Sequence, residues 1–385
     1  MTYHGLFFLL KSIKKYKKAN AMNPFNPSFG KVPELFLDRK SLVKKVTDGL
    51  ENVNSPYQTS LVYGIRGSGK TSFLTDISNL MQQKENWIVV NLALGSKLVP
   101  TLIDSIYKKA TSTLKKALNR IENVKFSALG LQLEVHQKVQ ASHNYQILLE
   151  SILQKLKENG ISLLVTIDEV SSTPEIREFI SIYQVLIREE YHVALMMTGL
   201  PGKISELQND DVLTFLLRSA RITLKPLDLA SVKYAYLDAF EKAGRRIETA
   251  ALNEMTKLTR GYAYSFQLMG YLIWETNQKV VGMDVLSSVI SEYQQHLFRN
   301  VYTKLYLELS PVDREFVKKM ATYKDDIVPV AYLGKALNKD KNYISVYRKR
   351  LLDDQIIAAA AHGQLSFTLP YFKNFVNENA IFYES

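Results

Sequence analysis

The sequence predicts an α/β core built on a parallel sheet, followed by a small α-helical domain and a C-terminal winged helix-turn-helix. Three observations predict it. Up to Pro226, short apolar runs alternate with segments of helical period, as parallel strands alternate with crossover helices. From there to about residue 300, only helical periodicity recurs. The remainder reads helix, helix, helix, hairpin, the order of a winged helix-turn-helix. The chain accordingly divides into a basic tail (1–22), the α/β unit (23–226), a helical unit (227–300), called the lid below, and the terminal unit (301–385).

Residues 23–37 are too rich in Pro and Gly for a helix. Asp38 can cap a helix running to about 52, with Leu42, Val43, Val46 and Leu50 on one face. A strand-like run at 58–63 then leads into Gly64, and Phe73, Leu74, Ile77, Leu80 and Met81 recur at helical spacing over 70–84. Further strands are expected at 87–93, 161–167, 192–197 and 221–225. Helices are expected at 98–120, 143–158 and 175–190, and an alternating run at 124–139 reads as a hairpin or irregular insertion. The lid helices fall near 229–243, 249–259, 263–277 and 283–299. In the terminal unit Ser310 caps a helix that starts at Pro311 and runs to about 323. Helices near 329–337 and 341–353 follow, and then strands at 356–360 and 365–369 around a turn at Gly363.

Composition removes several classes of chemistry. Without cysteine there are no disulfides, thiolate metal sites or cysteine nucleophiles, which agrees with a reducing compartment. His4, His136, His143, His192, His296 and His362 show no metal-ligand spacing. The net charge is +11, and Lys11, Lys14, Lys15, Lys17 and Lys18 lie in the first twenty residues with no acid among them. There the apolar run Gly5–Leu10 precedes the lysines, the reverse of a secretory signal, and is far too short to span a bilayer. The tail reads either as a segment ahead of a natural start at Met22 or as a basic arm for a membrane surface or nucleic acid. The chain is expected to be cytoplasmic, with no stable membrane insertion.

The chemistry concentrates at one run. Gly64-Ile65-Arg66-Gly67-Ser68-Gly69-Lys70-Thr71 fits G-x-x-x-x-G-K-[ST] at every fixed position, between a strand and a helix. Its glycines let backbone N–H groups close on phosphate oxygens. Lys70 offers a charge to the β- and γ-phosphates and Thr71 a hydroxyl to Mg²⁺, so 64–71 together with Ser72 is the expected nucleotide-binding loop of a P-loop NTPase. Asp168, after an apolar strand, suits ordering of the metal, and Glu169 beside it suits polarising a water. Thr198 ends the next strand and can reach the γ-phosphate or that water. Arg218 or Arg221 can supply a cation, in cis or to a neighbouring subunit. In the terminal unit Lys339, Lys341, Arg348, Lys349 and Arg350 surround the third helix against Asp340. Asn342, Tyr343 and Ser345 near its start can reach phosphates or base edges of duplex DNA, with Lys341, Arg348 and Arg350 beside them.

These motifs resemble AAA+ or STAND-type ATPases related to the archaeal and eukaryotic origin-recognition initiators. Five features carry the resemblance: Gly64–Thr71, Leu163–Glu169, Met197-Thr198-Gly199-Leu200-Pro201, the run at 260–270 and the terminal winged helix. It covers about residues 23–380 and implies an ATPase core, a helical lid and a winged helix. It also implies Asp168 and Glu169 as the Walker B pair, Thr198 as sensor 1, and Asp38-Arg39 near the adenine. Initiator-type lids carry an arginine that senses the γ-phosphate; this lid offers Arg260, and has Gly261-Tyr262-Ala263 where related lids have Gly-Tyr-Pro.

The expectation is an ATPase that binds ATP, ADP and Mg²⁺, hydrolyses the β–γ bond slowly, and acts as a switch on double-stranded DNA. A homo-oligomer or a partner protein would fit the same role. Two alternatives are a STAND-like regulatory ATPase, whose winged helix binds protein or folds back on the nucleotide, and a module holding nucleotide structurally.

Overall fold

The first helix, α1 (Lys40–Glu51), and the strand β1 (Thr59–Tyr63) set up the phosphate-loop motif, whose helix α2 spans Lys70–Gln82. The structure is a computed structural model describing residues 22–28, 32–35, 37, 39–95, 97–121, 125–127, 130–132, 141–211 and 213–383. The tail up to residue 21, the expected cap Asp38, Val212 and most of the alternating run at 124–139 lie outside these. In order follow β2 (Trp87–Leu92), α3 (Leu98–Lys109), α4 (Ser112–Leu118), the short pair β3 (Lys125–Ser127) and β4 (Gly130–Gln132), and α5 (Ala141–Glu158). Then come β5 (Ser162–Ile167), α6 (Pro174–Arg188), β6 (Val193–Gly199), α7 (Pro201–Gln208) and β7 (Ala220–Thr223).

Five strands form one parallel sheet in the order β2-β5-β6-β1-β7. Alternation along each strand sends its residues to two separate cores. Leu61, Leu163, Val165, Leu195 and Met197 face α3, α5 and α6. Val62, Leu164, Ala194 and Met196 face α1 and α2. The order has a chemical consequence. Strand β6 lies between β5 and β1, so Thr198 sits between the residue that follows β5, Asp168, and the loop that follows β1. Ligands of such sheets bind at this carboxyl edge.

The rest of the chain is built on helices: α8 (Leu229–Lys242), β8 (Arg246–Ile247), α9 (Thr249–Thr259), α10 (Ala263–Glu275), β9 (Val280–Val281) and α11 (Met283–Leu297). The helical path predicted to stop near 299 does not stop there. It passes through a π-turn at Phe298–Tyr302 into α12 (Thr303–Glu308). Buried Leu297, Val301, Tyr302, Leu305 and Tyr306 keep its apolar face continuous, and Pro311 after Ser310 starts the next helix.

After it come α13 (Pro311–Ala321), β10 (Val328–Pro329), α14 (Val330–Leu337), α15 (Lys341–Asp353), β11 (Ile357–Ala361), β12 (Gln364–Phe367) and α16 (Phe372–Asn379). The hairpin β11–β12 gains β10 as a third antiparallel strand. The sequence reading missed β10, α7 and α16, although Phe372, Phe375 and Val376 recur at helical spacing and are buried.

One apolar core runs through the whole stretch from Val232 on α8 to Ala380, so lid and terminal helices pack as a single body. Phe25 belongs to this core rather than to that of the sheet. Its ring packs against Tyr236, Phe240, Phe266 and Trp274. Gly270 makes room for it, since a Cβ there would come within 2.3 Å of the ring. The segment around Phe25 thus straps the lid from the N-terminal side. No helix among the described residues is long and apolar enough to cross a membrane.

Candidate nucleotide-binding site

The loop after β1 needs conformations that only glycine adopts easily. Gly67 and Gly69 have φ of 75° and 89°, and Gly69 stands at the N-cap of α2 with no side chain capping the helix. The first-turn N–H groups of α2 are therefore left for an anion. The hydroxyl of Ser68 is buried without a partner, a donor held in reserve inside the loop. Arg39, buried at the start of α1, donates from Nη2 to the Ser68 carbonyl at 2.8 Å and braces the loop from beneath.

Lys70 is folded onto its own loop, donating from Nζ to the carbonyls of Gly64 at 2.8 Å and Ile65 at 3.0 Å. Burial pushes its ammonium from the ordinary 10.5 down to about 8, against the pull of Asp168 and Glu169. A bound polyphosphate would favour the charged form. Above about pH 8 binding must therefore take up a proton, and affinity is expected to fall by up to about tenfold per pH unit. Titration calorimetry in buffers of different ionisation enthalpy checks this: uptake should approach about one proton near pH 9 and vanish in Lys70→Arg. Equal uptake in the variant would show that another group titrates.

Asp168 is held from both sides. Its Oδ2 accepts from the Thr71 hydroxyl at 2.6 Å, and its Oδ1 accepts from the Thr198 hydroxyl. The Thr198 oxygen in turn accepts from the Glu169 backbone N–H at 3.2 Å. Thr198 is fully buried and does not line the cavity; it fixes the Asp168-Glu169 corner. Glu169 has a φ of 56°, a left-handed conformation that costs a non-glycine residue on the order of 1 kcal/mol. That turn brings its carboxylate to the cavity, with Oε1 at 4.0 Å from Arg66. Thr71 and Asp168 present hard oxygen donors side by side, a set that fits Mg²⁺ completed by phosphate and water. Among the described residues no group of three His, Asp or Glu side chains could hold a metal by itself.

The helical stretch after Pro226 meets the loop directly. Tyr262 donates its hydroxyl to the Arg66 carbonyl at 2.6 Å, and the Tyr264 N–H donates to the Gly67 carbonyl at 3.1 Å. A Cβ at Gly67 would lie 2.0 Å from the Tyr262 oxygen. Arg260, the lid arginine of the sequence reading, points elsewhere. It donates to the Phe367 carbonyl at 2.8 Å and pairs with Asp326 at 3.1 Å, so it joins the lid to the terminal hairpin. Arg218 and Arg221 are exposed and do not line the cavity.

Between sheet edge, lid and terminal helices lies a cavity of about 850 Å³. The core contributes Arg39 and residues 65–72 along with Glu169, and the strap contributes Asn26, Leu35 and Leu37. Sequence reasoning missed the roof: Asn300, Lys304 and Glu308, with Asp354 and Ile356 after α15. No local pattern marks these, because packing alone brings them over a loop more than two hundred residues earlier. Burial and the nearby Asp313 push the Asp354 carboxyl up to about 6, and it lies beside the Gly202 backbone at the start of α7.

On α15, Lys341, Asn342 and Ser345 are exposed, while Tyr343 packs at a tilt against Tyr347 with the Lys339 ammonium over its ring. Arg348 is half-buried. Arg350 is engaged within the fold: it grips the buried Asp313 at 2.5 and 3.0 Å and donates to the Ser310 hydroxyl at 2.8 Å.

A solved structure matches this arrangement along its length. The Walker-type ATPase PABY2304 of Pyrococcus abyssi superposes with a TM-score of 0.60 at 14% identity, covering 89% of this chain and 96% of that one. The fold is that of a Walker-type ATPase. The P-loop ATPase fold read from the motifs is thus matched at the level of the fold. Cdc6p from Pyrobaculum aerophilum (TM-score 0.46, 14% identity, 91% of this chain and 96% of that one) is similar more distantly. So is a RuvB variant from Thermotoga maritima (0.42, 16%, 94% and 100%); at such scores neither carries weight here. A family described as a domain of unknown function (DUF8462) matches residues 299–376, from the π-turn to α16. No curated protein matches the chain.

Proposed function

We propose that the chain binds Mg-ATP in this cavity, hydrolyses it slowly to ADP and phosphate, and uses the nucleotide to set the position of its lid and terminal helices. The observation that carries the reading is the Thr71–Asp168 contact at 2.6 Å, between the residue after Lys70, which lines the cavity, and the residue before the cavity-lining Glu169. In this reading the residues of 64–72 hold the phosphates and Arg39 steadies the loop near the base. Mg²⁺, when bound, would neutralise charge on the transferred phosphoryl, with Thr71 and Asp168 as its protein-side holders. Glu169 orients and polarises the attacking water, and Thr198 keeps the two carboxylates in register.

The terminal stretch reads as a winged helix, with α13, α14 and α15 as its helices and β10, β11 and β12 as its sheet. Its exposed Lys341, Asn342 and Ser345 suit phosphate and base contacts on duplex DNA. A second reading has its own support. Asp354 and Ile356 line the cavity and Glu308 reaches Arg66, which favours a STAND-like regulator whose winged helix rests on the nucleotide. One experiment separates them: ATP turnover, with Lys70→Ala as control, with and without duplex DNA and across salt. A DNA switch should show turnover that responds to the duplex, with binding falling by about 0.9 log unit per log unit of salt for each phosphate contact. Turnover lost in Lys70→Ala but indifferent to DNA favours the regulator. Turnover equal in wild type and Lys70→Ala removes the ATPase reading.

A further inference from the structure

A nucleoside triphosphate carries more charge than Lys70 alone balances, and the arginine expected in the lid is turned away. Of the other cations that line the cavity, Arg39 is bonded to the loop, Arg66 lies between Glu169 and Glu308, and Lys203 is paired with Glu206. Lys304 is different. It lines the cavity, is exposed, and makes no hydrogen bond or ion pair among the described residues.

Its placement is fixed by its neighbours. Asn300, Lys304 and Glu308 recur every fourth residue and share one helix face toward the cavity. Both ends of this stripe are fastened to the phosphate loop. Asn300 donates from Nδ2 to the Tyr264 hydroxyl at 2.9 Å, and the Tyr264 backbone is bonded to Gly67. Glu308 meets Arg66 at 3.4 Å. Lys304 lies midway, about 6 Å of helix rise from each anchor, and lines the same cavity as the loop. The π-turn at 298–302 falls where the stripe begins; such turns re-aim the faces of a helix and recur at functional sites.

Resting on the ATP-binding reading above, we propose that Lys304 distinguishes nucleoside triphosphate from diphosphate by pairing its ammonium with the terminal phosphate. Glu308 holds Arg66, which keeps the stripe seated over the loop. The element that joins lid to terminal helices then registers the state of the nucleotide through its own side chain.

Equilibrium binding of a fluorescent non-hydrolysable ATP analogue and of fluorescent ADP tests this on the full chain. The variants are Lys304→Ala, Lys304→Arg and Lys70→Ala. A charge-assisted contact confined to the terminal phosphate predicts that Lys304→Ala weakens the triphosphate about tenfold or more, with the diphosphate changed less than about threefold. Lys304→Arg should restore most of the difference. Lys304 is exposed, so its truncation leaves the fold intact, and thermal melting verifies that. Equal weakening of both nucleotides, or of neither, overturns the assignment. If wild type binds neither nucleotide, or Lys70→Ala binds both as wild type does, the ATP-binding reading itself falls.

Discussion

Glu169→Gln is expected to keep ATP bound while turnover falls at least about a hundredfold, the scale of a lost general base. The geometry makes the variant a clean one. Only the side-chain charge changes, while the Glu169 N–H stays bonded to Thr198 and Asp168 keeps its contact with Thr71. Removing that charge also frees Arg66 of one of its two carboxylates, so nucleotide affinity should hold or rise. Single-turnover kinetics beside equilibrium binding provide the check. Turnover equal to wild type would exclude Glu169 as the base and shift attention to water held by the buried corner beneath it.

Arg350→Ala is expected to destabilise the terminal helices by about 2–3 kcal/mol. It strips the charged partner from a carboxylate, Asp313, that is only 3% exposed, leaving it the Ser310 hydroxyl at 2.7 Å. Half-exposure of the arginine itself keeps the figure below that of a fully buried pair. Denaturant unfolding measures it, and Asp313→Asn combined with Arg350→Ala should recover part of the loss, since no charge is then left unpaired. A variant as stable as wild type, yet binding duplex DNA several-fold more weakly, would return Arg350 to the nucleic-acid face on which the sequence reading set it.

The contrast between these residues shows what was legible in the sequence. Asp168 and Thr71 announce themselves because strand, loop and helix impose local spacing, and the parallel sheet does the rest. Strand and helix positions in the α/β unit follow from apolar periodicity, since each strand must serve two cores at once. Arg350 looked like a DNA contact because a basic run on a helix carries no record of the acid facing it, and Asp313 comes from another helix. Arg260 is engaged in a similar way, its partners being a carbonyl and a carboxylate of the terminal stretch. The helix past residue 300 was lost because a π-turn breaks the simple period while leaving the buried face unbroken. Phe25 hides in a segment read as irregular, and only the bare face of Gly270 explains where its ring goes.

That unbroken helix has a mechanical consequence. Residues 283–308 span about 39 Å at 1.5 Å per residue, and apolar packing stiffens the rod along its length. One end of the rod is pinned to the phosphate loop through Glu308 and Arg66. A tilt of about 5° at that pin would sweep the opposite end through roughly 3 Å, on the helix length just given. In the proposed nucleotide-controlled switch, a change of one phosphate group would be converted into a displacement of that size.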